Sequence, residues 1–284
     1  MRESSRIRLL SSIGSSDVMK YESIMRITIC LITVLVIVLS SSIHAQVIFD
    51  AGKFSAAEPG GQFPAGWHPF TFKKISSHTQ YTIIKDGNTA VIKAVSRASA
   101  SGLIRKIRID PRKYPFIRWR WKVSNVYKNG DVTKKTGDDY PARIYITFEY
   151  DPDRVGLWEK IKYNLAKQFY GEYSPSAAIN YIWASHAVIG TIVSNPYTQR
   201  TKMIVVESGK KVLNTWNSEE RNIFDDYIRA FGEKPPMISG IAIMTDSDNT
   251  KEAATAFYGD IQLRGNKHPL EDKQEHLNKT KYIE

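Results

Sequence analysis

The chain has 284 residues, a formal net charge of +11 and 42% hydrophobic residues, a balance typical of a folded globular protein. Its 15 tyrosines and 6 tryptophans supply more ring surface than disordered segments carry, so the composition excludes a largely disordered chain. The excess of basic residues favours anionic partners.

A charge-free apolar run near the N-terminus has the order of a secretory signal. Residues 27–39 follow Lys20 and Arg26 and precede a short polar stretch that ends in Ala45. A membrane-spanning helix needs about 20 apolar residues, so this run is short for an anchor. We expect cleavage after Ala45, with 1–45 as a signal peptide and its upstream extension, and retention as an anchor is the alternative. The expected location is the periplasm or cell envelope.

Cleavage would also remove the only cysteine, Cys30. The mature chain would then have no thiol, which excludes disulfides, cysteine nucleophiles and thiolate metal sites. Its 239 residues are enough for stability from core burial alone. An exported basic protein meets glycans and lipid headgroups, not nucleic acid. We therefore expect an envelope glycan or another anionic polymer as the partner, with peripheral membrane contact as a further expectation.

Short β-branched or aromatic runs bounded by turn residues dominate 46–265 and predict one mainly β domain. Many short strands joined by turns favour an antiparallel jelly-roll-like β-sandwich. The charged tail, 266–284, is expected to be flexible. The predicted strands are 69–73, 80–85, 89–94, 102–109, 116–123, 142–150, 178–184, 200–208, 238–245 and 257–263.

Two segments with helical spacing interrupt the strands. In 154–170 the apolar residues fall on one helix face and three lysines lie elsewhere, which predicts a helix inserted in the sandwich and allows contact with anionic headgroups. The second helix is predicted over 218–231, with Ser218 as its cap and Gly232 just after its end.

Strand alternation sorts the side chains of two segments into an apolar and a polar face. In 116–123 it places Trp119 and Trp121 towards the core and Arg120 on the opposite, cationic face. In the strand predicted over 142–150, Arg143 and Tyr145 share the polar face. Such a face is a candidate ligand cradle, and the alternative is an ordinary solvated face of an antiparallel sheet.

Adjacent carboxylates, Asp138 and Asp139, precede the second of these strands. Like charges this close raise one pKa unless a cation such as Arg143 or Arg120 holds both groups. The pair is consistent with acid–base chemistry, a cation site or acceptors for sugar hydroxyls. A salt-bridge network that anchors the start of the strand explains the same residues without a ligand.

A second acidic group follows the apolar strand predicted over 238–245. Asp246, Asp248 and Thr250 place oxygen ligands at alternate positions, as a calcium loop begins. The EF-hand pattern then fails, because Lys251 stands where Gly is needed and Phe257 where Glu is needed. Calcium is therefore a candidate ligand, and turns closed by Asp and Asn side chains explain the loop without an ion.

The sequence lacks a nucleophile elbow, a phosphate-binding loop, a dinucleotide fingerprint and a His-Glu-x-x-His motif. Its histidines have no metal-ligand spacing. No required cofactor is indicated, and catalysis is left undecided.

Seven segments together resemble the bacterial domain-of-unknown-function family 3047, over about residues 49–263. The resemblance implies an exported envelope protein and brings no known activity or catalytic residues. The strand pattern is also similar to carbohydrate-binding jelly rolls, which is an analogy of fold alone. The segments are 99–103, 114–122, 137–143, 181–183, 195–198, 231–236 and 245–250.

Two functions follow as hypotheses. The first is a non-catalytic module that binds envelope glycan, with aromatic rings as stacking surfaces. The second is a glycan hydrolase or lyase that uses the cluster of Asp138, Asp139 and Arg143. The candidate ligand-binding residues are Arg120, Asp138, Asp139, Arg143, Tyr145, Tyr181 and Trp183.

Overall fold

The computed structural model describes residues 24–29, 47–149 and 177–266. Contacts divide the chain into two units, Met1–Ala45 and Gln46–Glu284. Residues 24–29, in the first unit, are helical. Within the described ranges, no helix has the length and apolarity needed to cross a membrane. The helix predicted over 154–170 lies outside the described residues, as do nearly all of the predicted signal segment and tail.

The described part of the second unit is a mainly β sandwich of two sheets, which confirms the predicted mainly β sandwich. Its strands form a six-stranded and a seven-stranded sheet. They are β1 Ile48–Gly52, β2 Trp67–Phe70, β3 Gln80–Asp86, β4 Thr89–Arg97, β5 Ala100–Ile109, β6 Phe116–Val123, β7 Arg143–Phe148, β8 Ala177–Ala184, β9 Ile192–Asn195, β10 Thr198–Ser208, β11 Asn217–Asn222, β12 Ile238–Asp246 and β13 Ala253–Arg264.

The strand order shows which predicted segments become neighbours. The six-stranded sheet runs β11-β6-β13-β4-β3, with β1 paired to β13, and the seven-stranded sheet runs β2-β5-β12-β7-β8-β10-β9. The strand pairs are antiparallel except β8 with β10, which is parallel. β6 and β7 therefore belong to different sheets, although they are successive strands in the chain.

The core lies between the two sheets and is dominated by aromatic rings. Trp119 stacks on Tyr181 with ring centroids 5.3 Å apart, and Trp121 lies 5.9 Å from Trp183. Each pair joins β6 of one sheet to β8 of the other, so large buried rings fasten the sheets together. The prediction that Trp119 and Trp121 face the core is confirmed, since both are buried.

The helix predicted over 218–231 is correct only in its second part. Residues Asn217–Asn222 form an edge strand against β6, and the helix is Ile223–Phe231. Its cap is Asn222, whose side chain accepts a hydrogen bond from the Asp225 N–H, so the expectation for Ser218 was wrong. Gly232, at a φ of 77°, ends the helix as predicted.

The edge strand β11 brings a carboxylate onto the core side of the sheet. Glu219 lies directly opposite Trp119, and the Trp121 Nε1–H donates to Glu219 Oε1 over 3.2 Å. Burial, reinforced by the nearby Glu207 carboxylate, raises the pKa of Glu219 to about 7.

We predict that Glu219→Gln raises the melting temperature above about pH 7 and changes it little near pH 4. The folded protein holds this proton more tightly than the unfolded chain, whose pKa is near 4.5. As the pH rises from about 4.5 to about 7, the unfolded chain loses this proton and the folded protein keeps it, so the folded protein becomes less stable relative to the unfolded chain. Thermal unfolding of both proteins across this range measures the effect, and a difference that does not vary with pH would contradict it.

Candidate functional site

Four aspartates meet at one end of the seven-stranded sheet and are called the acidic cluster below: Asp138, Asp139, Asp246 and Asp248. Antiparallel pairing of β7 with β12 brings the start of β7 beside the end of β12. The loop before β7 carries the first two aspartates, and the end of β12 and the following turn carry the other two. Sheet register therefore joins two acidic segments that lie about one hundred residues apart in the sequence.

Asp139 fastens the turn that follows β12. Its Oδ1 accepts hydrogen bonds from the Asn249 N–H over 3.2 Å and from Asn249 Nδ2 over 3.1 Å. Its Oδ2 accepts from the Thr250 N–H over 2.5 Å. Both carboxylate oxygens of this buried side chain are thus occupied by protein donors.

Arg143 and Asp246 form a buried ion pair between β7 and β12. Their exposed fractions are 4% and 1%. Asp246 Oδ1 also accepts from the Tyr140 N–H over 3.3 Å. Burial alone would lower the pKa of Arg143, but the Asp246 carboxylate and its neighbours raise it well above its usual value, so the guanidinium stays charged. Arg143 was expected to hold Asp138 and Asp139, but it pairs with Asp246, while Asp138 and Asp139 accept from Asn195, Asn249 and Thr250.

Asp138 is only partly satisfied by protein donors. Its Oδ2 accepts from Asn195 Nδ2 over 2.8 Å, whereas its buried Oδ1 has no hydrogen-bond partner. Burial raises the pKa of Asp138, and the positive charge of Arg143 opposes this shift.

Three carboxylates of the cluster are close enough to share a metal ion. Single oxygens of Asp139, Asp246 and Asp248 all lie within 4.8 Å of one another. The sequence predicted Asp246, Asp248 and Thr250 as the ligands. The structure joins the first two to Asp139, while the Thr250 Oγ1 is buried without a hydrogen-bond partner. This buried group of aspartates could hold a metal.

Two predicted stacking residues are corrected by the structure. Tyr181 and Trp183 are both 0% exposed and lie in the core between the sheets. The Tyr181 hydroxyl donates to Asp226 Oδ2 over 2.9 Å, and Trp183 Nε1 donates to the Gly209 carbonyl over 3.2 Å. Because both faces of β8 are buried, alternation along this strand could not separate a surface ring from a core ring.

Arg120 is separated from the acidic cluster, contrary to the expectation that it joins Arg143. It lies on β6 in the six-stranded sheet, on the side away from Trp119 and the core. Arg143 lies on the core-distant side of the other sheet, next to Tyr145, whose ring is 5.4 Å from the Arg143 guanidinium carbon. The two arginines therefore occupy opposite outer faces of the sandwich.

Arg120 belongs instead to a second group of side chains, called here the cationic–aromatic strip: Arg120, Lys122, Trp216 and Phe257. The guanidinium carbon of Arg120 lies 4.5 Å from the Trp216 ring centroid, and Lys122 Nζ lies 4.5 Å from that of Phe257. All four side chains are half-buried. The sequence analysis missed both rings, although Phe257 lies between the buried residues Ala256 and Tyr258 of β13 and could have been assigned outward.

The described strands define a β-sandwich protein with a buried acidic cluster on one sheet and a cationic–aromatic strip on the other. The chain belongs to the family described as "Protein of unknown function (DUF3047)", whose model matches residues 65–262. No curated protein matches the sequence. Among solved structures, the chain is similar to endoglucanase 3 of Trichoderma harzianum, from family GH12, with 11% identity, a TM-score of 0.34 and coverage of 79% of this chain and 96% of that chain.

We predict that Asp139→Asn lowers the free energy of unfolding by about 1–3 kcal/mol, since the amide cannot accept at both positions and leaves a buried N–H unsatisfied. Chemical denaturation measures the loss. Asp248→Asn is the matched control, because this carboxylate is only half-buried and should change stability much less. Equal stabilities of Asp139→Asn and the unmodified protein would show that the Asp139 contacts do not hold the turn.

Proposed function

We propose that this protein is an exported, non-catalytic module that binds an acidic envelope glycan through the cationic–aromatic strip. The observation that carries the proposal is the pairing of partly exposed cations with partly exposed rings on the outer face of the six-stranded sheet. Cations attract carboxylate-bearing polymers, and rings offer apolar surface to the faces of sugars.

The rings of the strip are held in fixed positions. Trp216 Nε1 donates to Asp86 Oδ2 over 2.7 Å, and the same oxygen accepts from Lys122 Nζ over 2.6 Å. Phe257 lies directly opposite Lys122 on the neighbouring strand. A preorganised surface loses little conformational entropy when a ligand binds.

The net charge of this outer face of the six-stranded sheet is positive. Arg118 lies on β6 two residues before Arg120, and Lys93 lies opposite Phe257 on β4. The acids nearby are already engaged, Asp86 with Lys122 and Glu220 with Arg264. An acidic polymer therefore fits this surface better than a neutral one.

The alternative is a glycan hydrolase or lyase that acts through the acidic cluster, and one observation favours it. Asp138 is buried and has a raised pKa, as a general acid would, and the Tyr140 hydroxyl interacts with its carboxylate. Asp139 and Asp246 support it less, because protein donors occupy their oxygens. Release of reducing ends from a polymer that the protein also binds would establish this second function.

Export through a cleaved signal is part of the proposal. It is supported by the short apolar run 27–39 and the polar stretch that ends in Ala45. Mass spectrometry of the purified mature protein should find Gln46 at its N-terminus. A protein that keeps residues before Ala45 in a membrane fraction would favour the anchor.

We predict that Arg120→Gln weakens retention on immobilised polygalacturonate by about two- to fivefold at low salt, since one partly exposed charge contributes up to about 1 kcal/mol. The cause is the loss of a cation from the strip. Retention is measured by affinity chromatography, with neutral dextran as the control matrix.

Arg108→Gln is the matched variant. Arg108 pairs with Glu149 and belongs to the other sheet, and its replacement changes the net charge by the same amount. Equal losses from the two variants would mean that net charge, not the strip, drives retention.

We further propose calcium as the ion that fits the acidic cluster, because all the available ligands are oxygens. Asp246 and Asp138 lie near the Arg143 guanidinium, and Asp139 and Asp248 add negative charge beside Asp246, which a divalent cation would offset. Calcium is then expected to raise the melting temperature, because binding to the folded state alone stabilises it.

The calcium prediction is tested by thermal unfolding with added calcium and with a chelator. Asp248→Asn should remove most of the calcium-dependent shift and leave the melting temperature in chelator nearly unchanged. A melting temperature that does not respond to calcium in the unmodified protein would exclude the site.

A further inference from the structure

An open cavity of about 590 Å³ lies at the end of the sandwich where β6 and β8 end. Its walls come from the loop that follows β6, between residues 128 and 136, and from residues 186–187, which follow β8. This volume is typical of small-molecule sites. The basic residues of its lining, Lys128, Lys134 and His186, are exposed, so a ligand can reach the cavity directly from solvent.

The acid in the lining of the cavity, Asp131, is already paired. Its carboxylate accepts hydrogen bonds from Lys134 Nζ over 2.9 Å and from the Thr133 hydroxyl over 2.7 Å. These bonds lower the pKa of Asp131, so the group stays ionised and matched to Lys134. The second lysine of the lining, Lys128, therefore gives the cavity an excess of positive charge.

The Lys128 ammonium group is available to a ligand. Among the described residues, no acidic side chain pairs with it. The carboxylate of Glu252 is occupied instead by the backbone N–H groups of Lys128 and Asn129, each over 2.9 Å. An anionic group that enters the cavity thus meets a cation without first breaking an ion pair.

Two exposed aliphatic side chains lie beside the cavity. Val188 and Ile189 directly follow the lining residues 186–187, and they are 76% and 57% exposed. Their turn is anchored to the sheet, because the Gly190 N–H donates to the Val205 carbonyl over 2.8 Å. The fold therefore holds two large apolar side chains in water, which is unfavourable unless an apolar phase covers them.

An exposed tyrosine borders the same cavity on its other wall. Tyr197 is 58% exposed, and its hydroxyl donates over 3.3 Å to the carbonyl of Lys135, which lies between the lining residues Lys134 and Thr136. Lys135 Nζ lies 5.3 Å from the Tyr197 ring centroid. Tyrosine and lysine together are typical of the boundary between lipid headgroups and acyl chains.

We propose that this end of the sandwich docks on an anionic lipid bilayer, with a lipid phosphate group in the cavity and with Val188 and Ile189 among the neighbouring acyl chains. Lysines attract anionic headgroups, and insertion removes the apolar turn from water. An acidic polysaccharide would satisfy the lysines but offers no apolar phase to the turn, so a lipid fits this end better. The contact uses none of the residues of the cationic–aromatic strip.

Vesicle sedimentation of the full mature protein tests the docking. We expect binding to vesicles that contain phosphatidylglycerol, and binding weaker by about tenfold or more to vesicles of phosphatidylcholine alone, because only the first are anionic. Soluble glycerol phosphate should bind far more weakly than the anionic vesicles, since it offers nothing to the apolar turn. No binding to the anionic vesicles, equal binding to both kinds, or equally tight binding of glycerol phosphate would overturn the proposal.

Replacing Val188 and Ile189 together by serine tests the turn. We expect a loss of affinity for phosphatidylglycerol vesicles of about tenfold or more, with no change in net charge and little change in melting temperature. Val47→Ser with Ile48→Ser is the matched control. This second pair is 58% and 49% exposed and lies at the opposite end of the six-stranded sheet, where β6 begins. Equal affinities of the two double variants would overturn the proposal.

Lys128→Gln tests the cavity and keeps the proposal testable should the serine variant not fold. We expect about fivefold weaker binding to the anionic vesicles, the effect of one lysine close to the lipid surface. Lys113→Gln removes the same charge from an exposed turn before β6, at the opposite end, and should change binding much less. Equal losses would show that net charge, not the cavity, attracts the bilayer.

The bilayer contact and glycan binding by the strip are tested separately. The serine substitutions at Val188 and Ile189 change no charge and leave the strip intact, so retention on polygalacturonate should be unchanged. Loss of that retention in a folded serine variant would assign the glycan to this end and overturn its assignment to lipid. Vesicle binding by a protein that polygalacturonate does not retain would contradict the strip and leave the bilayer contact standing.

Discussion

The buried ion pair of Arg143 and Asp246 is the contact on which the acidic end of the sandwich depends. Removing two charges from water is costly unless they are paired and hydrogen-bonded. Here the pair crosses from β7 to β12 and is completed by the Tyr140 N–H. Asp139, beside it, accepts three further hydrogen bonds from the Asn249–Thr250 turn. The cluster therefore fixes the positions of two loops before any ligand is considered.

The two outer faces of the sandwich differ in the charge and exposure of their polar side chains. The outer face of the seven-stranded sheet carries a buried polar cluster in which the carboxylates outnumber their cation, Arg143. The outer face of the six-stranded sheet carries partly exposed cations supported by Trp216 and Phe257. Aromatic rings on the inner faces, such as Trp119 against Tyr181, hold the sheets together and keep these two surfaces apart.

Much of the fold was predictable from alternation along single strands, which is a local property. Alternation correctly directed Trp119 and Trp121 inward and Arg120 outward. It could not assign β6 and β7 to different sheets, because strand pairing is decided by contacts distant in sequence. It also failed where both sides of a strand are buried, as for Tyr181, and at the polar edge strand Asn217–Asn222, which has no apolar period. The proximity of Asp139 to Asp246 likewise required the register of β7 with β12.

The most direct test of the account is an NMR titration with uronic-acid oligosaccharides that follows the tryptophan indole N–H signals. The account predicts that the Trp216 signal shifts, because this ring lies on the strip beside Arg120 and Lys122. It predicts unchanged signals for Trp121 and Trp183, which are buried between the sheets. An unchanged Trp216 signal together with shifts of the two core indoles would contradict the assignment of glycan binding to the outer face of the six-stranded sheet.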